Sequence, residues 1–259
     1  MPETATNGAS INYEISGNPD GPWLVFSNSL GTDLHMWDAQ AEIFGSDYQV
    51  LRYDTRGHGR SAAPDGDYDF DQLGKDTLSV MDSAGVDKAC FCGLSMGGAT
   101  GMWLGVNAPE RFEKLVLCNT GARIGDTATW QQRIETVLAS GMGAIAEAVV
   151  DRWFTERFQK AAPAAVDRIR AMILATPAAG YAGCCGALRD FDMRGAIKAI
   201  GLPTLIVAGQ HDPATPVGLA EDMKASIRGA KLAVLDAAHL SNIEQEAAFN
   251  ETVSTFLKG

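Results

Sequence analysis

Short apolar segments that recur along the chain constrain its fold more than any other feature. Each is bounded by Gly, Pro, Asn or Asp, and they span residues 23–29, 48–54, 89–95, 114–120, 204–209 and 231–236. Segments of this length that are rich in Val and Leu are typical of strands buried on both faces of a parallel sheet. Helix-like segments alternate with them, at residues 69–85, 97–112, 217–227 and 246–259. The alternation predicts an α/β fold in which a mostly parallel central sheet is flanked by helices.

Residues 121–195 interrupt this alternation, because they read as helices with no convincing strand between them. Ligands of parallel sheets bind beyond the carboxyl ends of the strands. An insertion that leaves the sheet at that edge would form a lid over the site. We therefore predict a core made of residues 1–120 and 195–259, and a helical cap made of residues 121–194.

The charge, apolar runs and cysteines of the chain limit which partners and ligands are expected. The formal net charge of −11 disfavours nucleic-acid binding, since phosphate contacts need clustered Lys and Arg. No apolar run approaches the ~20 residues needed to span a bilayer, and the first residues lack a signal-peptide pattern. We expect a cytoplasmic protein with no membrane or nucleic-acid partner. The five cysteines show no metal-ligand spacing, so no metal site is expected. Nothing in the pattern indicates an oligomeric state.

The segment Gly93-Leu94-Ser95-Met96-Gly97 matches the motif G-x-S-x-G. A strand-like run precedes it and a helix-like run follows, which is the context the motif requires. Its glycines allow a sharp turn and a close approach of helix and strand. The motif predicts that Ser95 is a nucleophile presented above the sheet edge. The alternative is a serine that caps the helix in an ordinary turn.

A serine hydroxyl becomes a good nucleophile only when a base takes its proton. Of the four histidines, His239 follows the last predicted strand, where this fold places the base. Asp212 follows the run 204–209 and is the predicted acid that orients the imidazole. Asp236 competes for that role, but it lies only three residues before His239, at the predicted strand end.

The remaining histidines have other expected roles. His211 precedes the predicted acid and is expected to be structural, and His58 in "DTRGHGRS" is expected to order a loop. His35 could line a pocket or lie in an exposed loop. Asn119 leaves the common alternative position for the acid without a carboxylate.

Acyl transfer also needs two backbone N–H groups that stabilise the developing oxyanion. One is expected from Met96, the residue after the nucleophile. The other is expected from Leu30, in the loop after the first buried strand, where Gly31 gives the chain freedom.

The ordered set Ser95, Asp212 and His239 resembles the α/β-hydrolase superfamily. Several longer phrases resemble the 3-oxoadipate enol-lactonases: "SNSLGTDLHMWDAQ", "VLRYDTRGHGRS", "CGLSMGGATGMWLG", "LCNTGARIG", "AGQHDPATP" and "LDAAHLSNIEQ". The resemblance implies an enzyme of the β-ketoadipate pathway of aromatic catabolism. Such an enzyme opens a small lactone through a serine acyl-enzyme and uses neither a metal nor an organic cofactor.

The lactone implied by the resemblance bears a free carboxylate, which needs a cationic partner in an acidic protein. Arg133 on the predicted lid, beside Trp130, is the leading candidate, ahead of Arg123 and Arg189. The alternative is that Arg133 faces solvent and pairs with a nearby Glu. Trp153 is a candidate for the pocket roof, and core packing is the alternative for it.

Other functions compete with this one. A general carboxylesterase or perhydrolase would use the same three residues and differ only in the lid. A haloalkane dehalogenase is disfavoured because Ser95 stands where that class has a carboxylate. A catalytically silent ligand-binding protein of the same fold remains an alternative, which the intact triad disfavours.

Overall fold

The computed structural model of the chain describes residues 3–6 and 8–259. Within them eight strands form one sheet, in the order β1-β2-β4-β3-β5-β6-β7-β8. The strands are β1 (Glu3–Thr6), β2 (Ala9–Gly17), β3 (Trp23–Ser27), β4 (Gln49–Tyr53), β5 (Ala89–Leu94), β6 (Phe112–Cys118), β7 (Thr204–Gly209) and β8 (Lys231–Leu235). The pairs from β4 through β3 to β8 are all parallel, which confirms the predicted mostly parallel sheet.

The apolar runs of the sequence do not predict the first two strands. β2 pairs antiparallel with both β1 and β4, at one side of the sheet. Its second half alternates between partly buried and exposed residues. A strand of this kind carries no continuous apolar run, so the runs do not indicate it. The run 231–236 does correspond to β8, but the expectation that this strand is buried on both faces is wrong, because β8 is at the edge of the sheet and only Leu235 is buried.

The described residues contain eleven α-helices: α1 (Asp38–Phe44), α2 (Phe70–Ser83), α3 (Met96–Asn107), α4 (Thr127–Ser140), α5 (Ala146–Trp153), α6 (Glu156–Ala161), α7 (Pro163–Ala175), α8 (Ala178–Asp190), α9 (Val217–Ser226), α10 (Ser241–Glu244) and α11 (Glu246–Lys258). The four predicted helices correspond to α2, α3, α9 and α11. The helix in the segment 97–112 is expected to end near Pro109, and α3 does end at Asn107, because Pro109 disfavours a helical conformation for the residue before it. A short 3₁₀ turn follows, and β6 already begins at Phe112.

Helices α4 to α8 fill the chain between β6 and β7. α8 is the most deeply buried of them, and it crosses close to the loop that follows β4. A Cβ atom added to Gly180 of α8 would lie 2.3 Å from the carbonyl oxygen of Gly57, whose own φ is +79°. Glycine is therefore required at both positions for the helix to approach this loop.

The carboxyl ends of β3, β5, β6, β7 and β8 meet at one edge of the sheet, as the parallel pairings require. Among these strands, β5 and β7 are buried at every residue, whereas only Leu235 is buried in β8 at the end of the sheet. All five cysteines are buried and unpaired, as small apolar residues would be.

No single helix in the described ranges has the length and apolar character needed to cross a membrane. Helices α7 and α8 pass that test only when taken together, and they are bent by 94° relative to each other.

Candidate active site

Ser95 occupies a strained turn between β5 and α3. Its φ is +57°, and Ser95 and Asn119 are the only non-glycine residues with positive φ in the described part of the chain. A Cβ atom added to Gly93 would lie 2.2 Å from the Gly97 carbonyl oxygen, and one added to Gly97 would lie 2.2 Å from that of Ser27. The turn therefore depends on both glycines. Strain of this kind is typical of residues held in place for a function.

His239 and Asp212 contact each other directly. Nδ1 of His239 lies 2.8 Å from Oδ2 of Asp212, and both side chains are almost fully buried. His239 lies just beyond β8, and Asp212 lies just beyond β7. Because the carboxylate can only accept, Nδ1 carries the hydrogen and Nε2 remains free to act as a base.

Further donors surround the Asp212 carboxylate. Oδ1 accepts the N–H groups of Ala214 at 2.8 Å and Thr215 at 3.0 Å, and Oδ2 accepts the Thr215 hydroxyl at 2.6 Å. Burial alone would raise the pKa of Asp212, but His239 and the hydrogen bonds from Thr215 outweigh it and lower the pKa to about 2. The acid therefore stays ionised and holds His239 in one tautomer and orientation.

The competing acid lies at the surface. The Asp236 side chain is 59% exposed and pairs with Arg157 at 2.9 Å and with Nε2 of His211 at 2.8 Å. His35 is also exposed and contacts Asp38. Neither histidine lines the cavity that contains Ser95.

The two expected oxyanion donors, the N–H groups of Leu30 and Met96, differ from neighbouring N–H groups in their hydrogen bonding. In the loop after β3, the N–H of Gly31 donates to His58 and that of Thr32 donates to the Ser29 carbonyl. None of the hydrogen bonds between described residues uses the N–H of Leu30 or of Met96. Met96 is also the first residue of α3, where backbone N–H groups have no partner within the helix.

A cavity of about 180 Å³ lies between the sheet edge and helices α4, α5 and α8. This is below the ~300–1,000 Å³ of sites for drug-sized ligands, so it suits a small molecule. The Trp153 ring stacks against that of His239, with centroids 5.9 Å apart. The lining residues are Ser29, Leu30, Ser95, Ile124, Gly125, Thr129, Trp130, Arg133, Arg152, Trp153, Tyr181, Leu188, Pro213, Ala214 and His239.

Two arginines line this cavity. Arg133 lies over the Trp130 ring, 5.3 Å from its centroid, and 3.4 Å from the Tyr181 hydroxyl. Arg152, which the sequence analysis did not single out, has a buried Nε without a partner. Burial, and next the charge of Arg133, lower the pKa of Arg152 below its ordinary value. Neither guanidinium pairs with a carboxylate of the described residues.

The other arginines considered from the sequence do not line the cavity. Arg123 pairs with Asp192 at 3.4 Å, and Arg189 pairs with Asp67 and Asp190. Their charges are already neutralised at the surface.

A larger open groove of about 950 Å³ lies beside α9 and meets the smaller cavity at Gly125 and Ala214. It contains none of Ser95, Asp212 and His239. The candidate site is therefore identified by its chemistry and not by its size. No cluster of three or more potential metal ligands occurs in residues 3–6 and 8–259.

Comparisons with known proteins agree with the fold. A family model described as alpha/beta hydrolase fold matches residues 22–246. The chain is 43% identical over 249 residues to 3-oxoadipate enol-lactonase 2 of Acinetobacter baylyi, covering 96% of this chain and 93% of that protein. The crystal structure of the enol-lactonase from Burkholderia xenovorans LB400 superimposes with a TM-score of 0.98 at 43% identity, covering 100% of both chains. A thermophilic esterase from Thermogutta terrifontis matches with a TM-score of 0.92 at 28% identity, covering 99% of this chain and 96% of that one.

Proposed function

The chain belongs to the alpha/beta hydrolase fold family, and from that premise we propose that it hydrolyses 3-oxoadipate enol-lactone to 3-oxoadipate by means of Ser95, His239 and Asp212. It is a carboxylic-ester hydrolase, and a lactone is a cyclic ester. The observation that carries the proposal is the contact between Nδ1 of His239 and Oδ2 of Asp212, together with a strained Ser95 that lines the same cavity as His239.

In the proposed reaction Ser95 Oγ attacks the lactone carbonyl while Nε2 of His239 takes the hydroxyl proton. The N–H groups of Leu30 and Met96 stabilise the tetrahedral oxyanion. The ring C–O bond then breaks, and the enolate oxygen leaves while it remains tethered to the acyl group. It takes the proton from Nε2 of His239 and becomes an enol, so that His239 is again neutral. Because an enolate is a better leaving group than an alkoxide, this step demands little general-acid help.

Water completes the turnover. His239 removes a proton from the water, the resulting hydroxide attacks the acyl-enzyme carbonyl, and Ser95 leaves with the proton from His239. The released enol tautomerises to the ketone. The full cycle consumes one water molecule per lactone and needs no metal and no organic cofactor.

The substrate carboxylate is proposed to bind Arg133 and Arg152. Both line the cavity, and no carboxylate of the described residues neutralises either of them. A guanidinium with unused donors fits a carboxylate in a fork geometry. An anionic substrate can therefore enter an acidic protein because its site is locally cationic. Trp130 and Trp153 are proposed to bound the same space.

We propose that residues 121–194 act as a cap over a core of residues 1–120 and 195–259. Helices α4, α5 and α8 supply Arg133, Arg152 and Tyr181 to the cavity, whereas the core supplies the reacting groups. This division would allow one triad to serve different substrates through the cap alone.

The test is a spectrophotometric comparison of 3-oxoadipate enol-lactone with muconolactone and short p-nitrophenyl esters. The expected result is the highest kcat/KM for the enol-lactone. Ser95→Ala should lower it by at least about 10⁴-fold with an unchanged Tm, while Ser46→Ala at the exposed end of α1 leaves it unaltered. Preference for the simple esters would favour a general carboxylesterase instead. Activity that survives Ser95→Ala would contradict the proposed nucleophile.

A further inference from the structure

His58 is the one fully buried imidazole that the proposed mechanism does not use. It is 0% exposed, it follows β4, and it does not line the catalytic cavity. Its Nε2 lies 2.8 Å from the backbone nitrogen of Gly31, and its Nδ1 lies 3.2 Å from the carbonyl oxygen of Arg56.

These two contacts determine the state of the ring. A backbone N–H can only donate, so Nε2 of His58 must offer a lone pair to Gly31. A carbonyl oxygen can only accept, so Nδ1 must carry the hydrogen that points to Arg56. The ring is therefore neutral, with its hydrogen on Nδ1. Burial lowers the pKa of His58 to about 4, against smaller opposing effects of the Arg56 carbonyl and Asp54, which agrees with this state.

The contact with Gly31 bears on its neighbour Leu30. The N–H of Thr32 donates to the Ser29 carbonyl at 3.2 Å. In a trans peptide the C=O and N–H groups point in opposite directions. The Leu30 N–H and the Ser29 carbonyl belong to the same peptide group. Because this carbonyl points toward Thr32, the Leu30 N–H points away from Thr32. His58 fixes the peptide group on the other side of Leu30, which leaves this residue little freedom to rotate.

His58 is itself held rigidly. Its own N–H donates to the Thr55 carbonyl at 2.9 Å, and its carbonyl accepts from Ser61 at 3.0 Å. The preceding Arg56 forms a buried ion pair with Asp76, 2.5 Å from Nε to Oδ2. A ring on such a support can hold a neighbouring loop in one position.

We propose that His58 is a positioning residue, whose neutral imidazole accepts the Gly31 N–H and thereby directs the Leu30 N–H toward the oxyanion. The proposal rests on the proposed serine-hydrolase function. His58 does not line the cavity that contains Ser95, and its effect passes through the backbone of Gly31 and Leu30.

Two substitutions of His58 test the roles of its two ring nitrogens separately. In His58→Asn the amide nitrogen replaces Nδ1 and keeps the bond to Arg56, but no acceptor reaches Gly31. In His58→Gln the longer side chain brings a carbonyl oxygen to the place of Nε2. His35→Asn makes the same change at an exposed ring outside the cavity and serves as the matched control.

We expect His58→Asn to lower kcat by about 10- to 100-fold, somewhat less than loss of an entire oxyanion donor, with little change in KM. His58→Gln should recover most of the activity. Affinity for a boronic acid that forms a tetrahedral adduct with Ser95 should weaken in parallel with kcat, because both depend on the oxyanion contact. A role confined to stability would lower Tm without this parallel.

Wild-type kcat in His58→Asn, or a lower kcat with unaltered boronate affinity, would overturn the proposal. If the variants fail to fold, ¹⁵N NMR of wild-type histidines decides: Nε2 of His58 must show an unprotonated lone-pair shift at pH 7, and a cationic ring or the Nε2–H tautomer would overturn it. If the proposed serine-hydrolase function is wrong, ester hydrolysis will not depend on Ser95. That result is distinct from every result that would overturn the role of His58.

Discussion

Asn119 donates a hydrogen bond from Nδ2 to Oδ2 of Asp212 across 3.2 Å, and so joins the end of β6 to the loop after β7. The same amide donates to the Ala238 carbonyl at 3.1 Å, and its oxygen accepts from the Ser241 hydroxyl at 2.6 Å. Asn119 therefore connects the acid with the chain on both sides of His239. The position that sequence analysis found to lack a carboxylate holds an amide that supports the acid.

Substitution of Asn119 should show two separable effects. Its φ of +45° is tolerated by Asn and Gly but costs other residues about 1–2 kcal/mol. Asn119→Gly removes only the amide and should lower the free energy of unfolding by about 1–3 kcal/mol, because Ser241 and Asp212 lose buried partners. Asn119→Ala should lose about 1 kcal/mol more. Urea unfolding measures both, and an alanine variant as stable as the glycine variant would contradict the account.

The arginines of the cavity should control KM for anionic substrates. Replacing Arg133 or Arg152 with Met removes a charged hydrogen-bond partner worth ~1.5–3 kcal/mol, so KM for the enol-lactone should rise about 10-fold or more. KM for neutral p-nitrophenyl acetate should stay close to the wild-type value, because that ester has no carboxylate to bind.

The control for this prediction is Arg194→Met, since Arg194 is exposed and paired with Asp192 outside the cavity. Equal KM changes for the anionic lactone and the neutral ester would show that the arginines only shape the cavity. A KM unchanged in Arg133→Met but raised in Arg152→Met would assign the carboxylate to Arg152 alone.

The contrast between Ser95 and Arg152 shows how far sequence alone can predict this site. Ser95 lies in a motif whose spacing reflects backbone geometry, and Asp212 and His239 follow strands that short apolar runs reveal. Arg152 lies on an eight-residue helix without a motif, and in the sequence nothing separates it from Arg157 nearby. Its position in the cavity depends on the packing of α5 against other helices, and local patterns do not encode that packing. Local sequence patterns predict that the segment 121–194 is helical. They do not predict which residues its helices contact, because those contacts depend on tertiary packing.

Glu244 links the loop that contains His239 to the start of α6. Its carboxylate accepts the N–H of Ala238 at 3.0 Å and that of Thr155 at 3.2 Å, together with the Thr155 hydroxyl. In Glu244→Gln an amide NH₂ replaces one acceptor and faces a donor. We expect the free energy of unfolding to fall by about 1–3 kcal/mol and kcat to fall with it, because Ala238 directly precedes His239.

The matched substitution is Glu251→Gln on the exposed face of α11, which should leave unfolding and kcat unaltered. A Glu244→Gln variant that loses stability but keeps wild-type kcat would mean that the link does not position His239. Chemical denaturation and steady-state kinetics on the same preparations distinguish these results.

The buried state of His58 should make stability depend on pH in a defined window. Its pKa of about 4 lies below the ordinary value of 6.5, so the unfolded chain binds the proton first as pH falls. The His58 contribution is complete above pH 6.5 and is lost between about pH 6.5 and 4, by roughly 3 kcal/mol in all.

Urea unfolding of the wild type and of His58→Gln between pH 7.5 and 4.5 tests this dependence. The difference in free energy of unfolding between the wild type and His58→Gln isolates the contribution of His58, because other titrating groups contribute equally to both proteins. Asp212 acts in a separate window: its pKa is lowered from 3.8 to about 2, so its contribution is lost only as pH falls below about 4. The difference in free energy of unfolding between wild type and variant should therefore change by about three-quarters of the full amount across the tested range. A gap that stays constant from pH 7.5 to 4.5 would show that His58 titrates alike in the folded and unfolded chain.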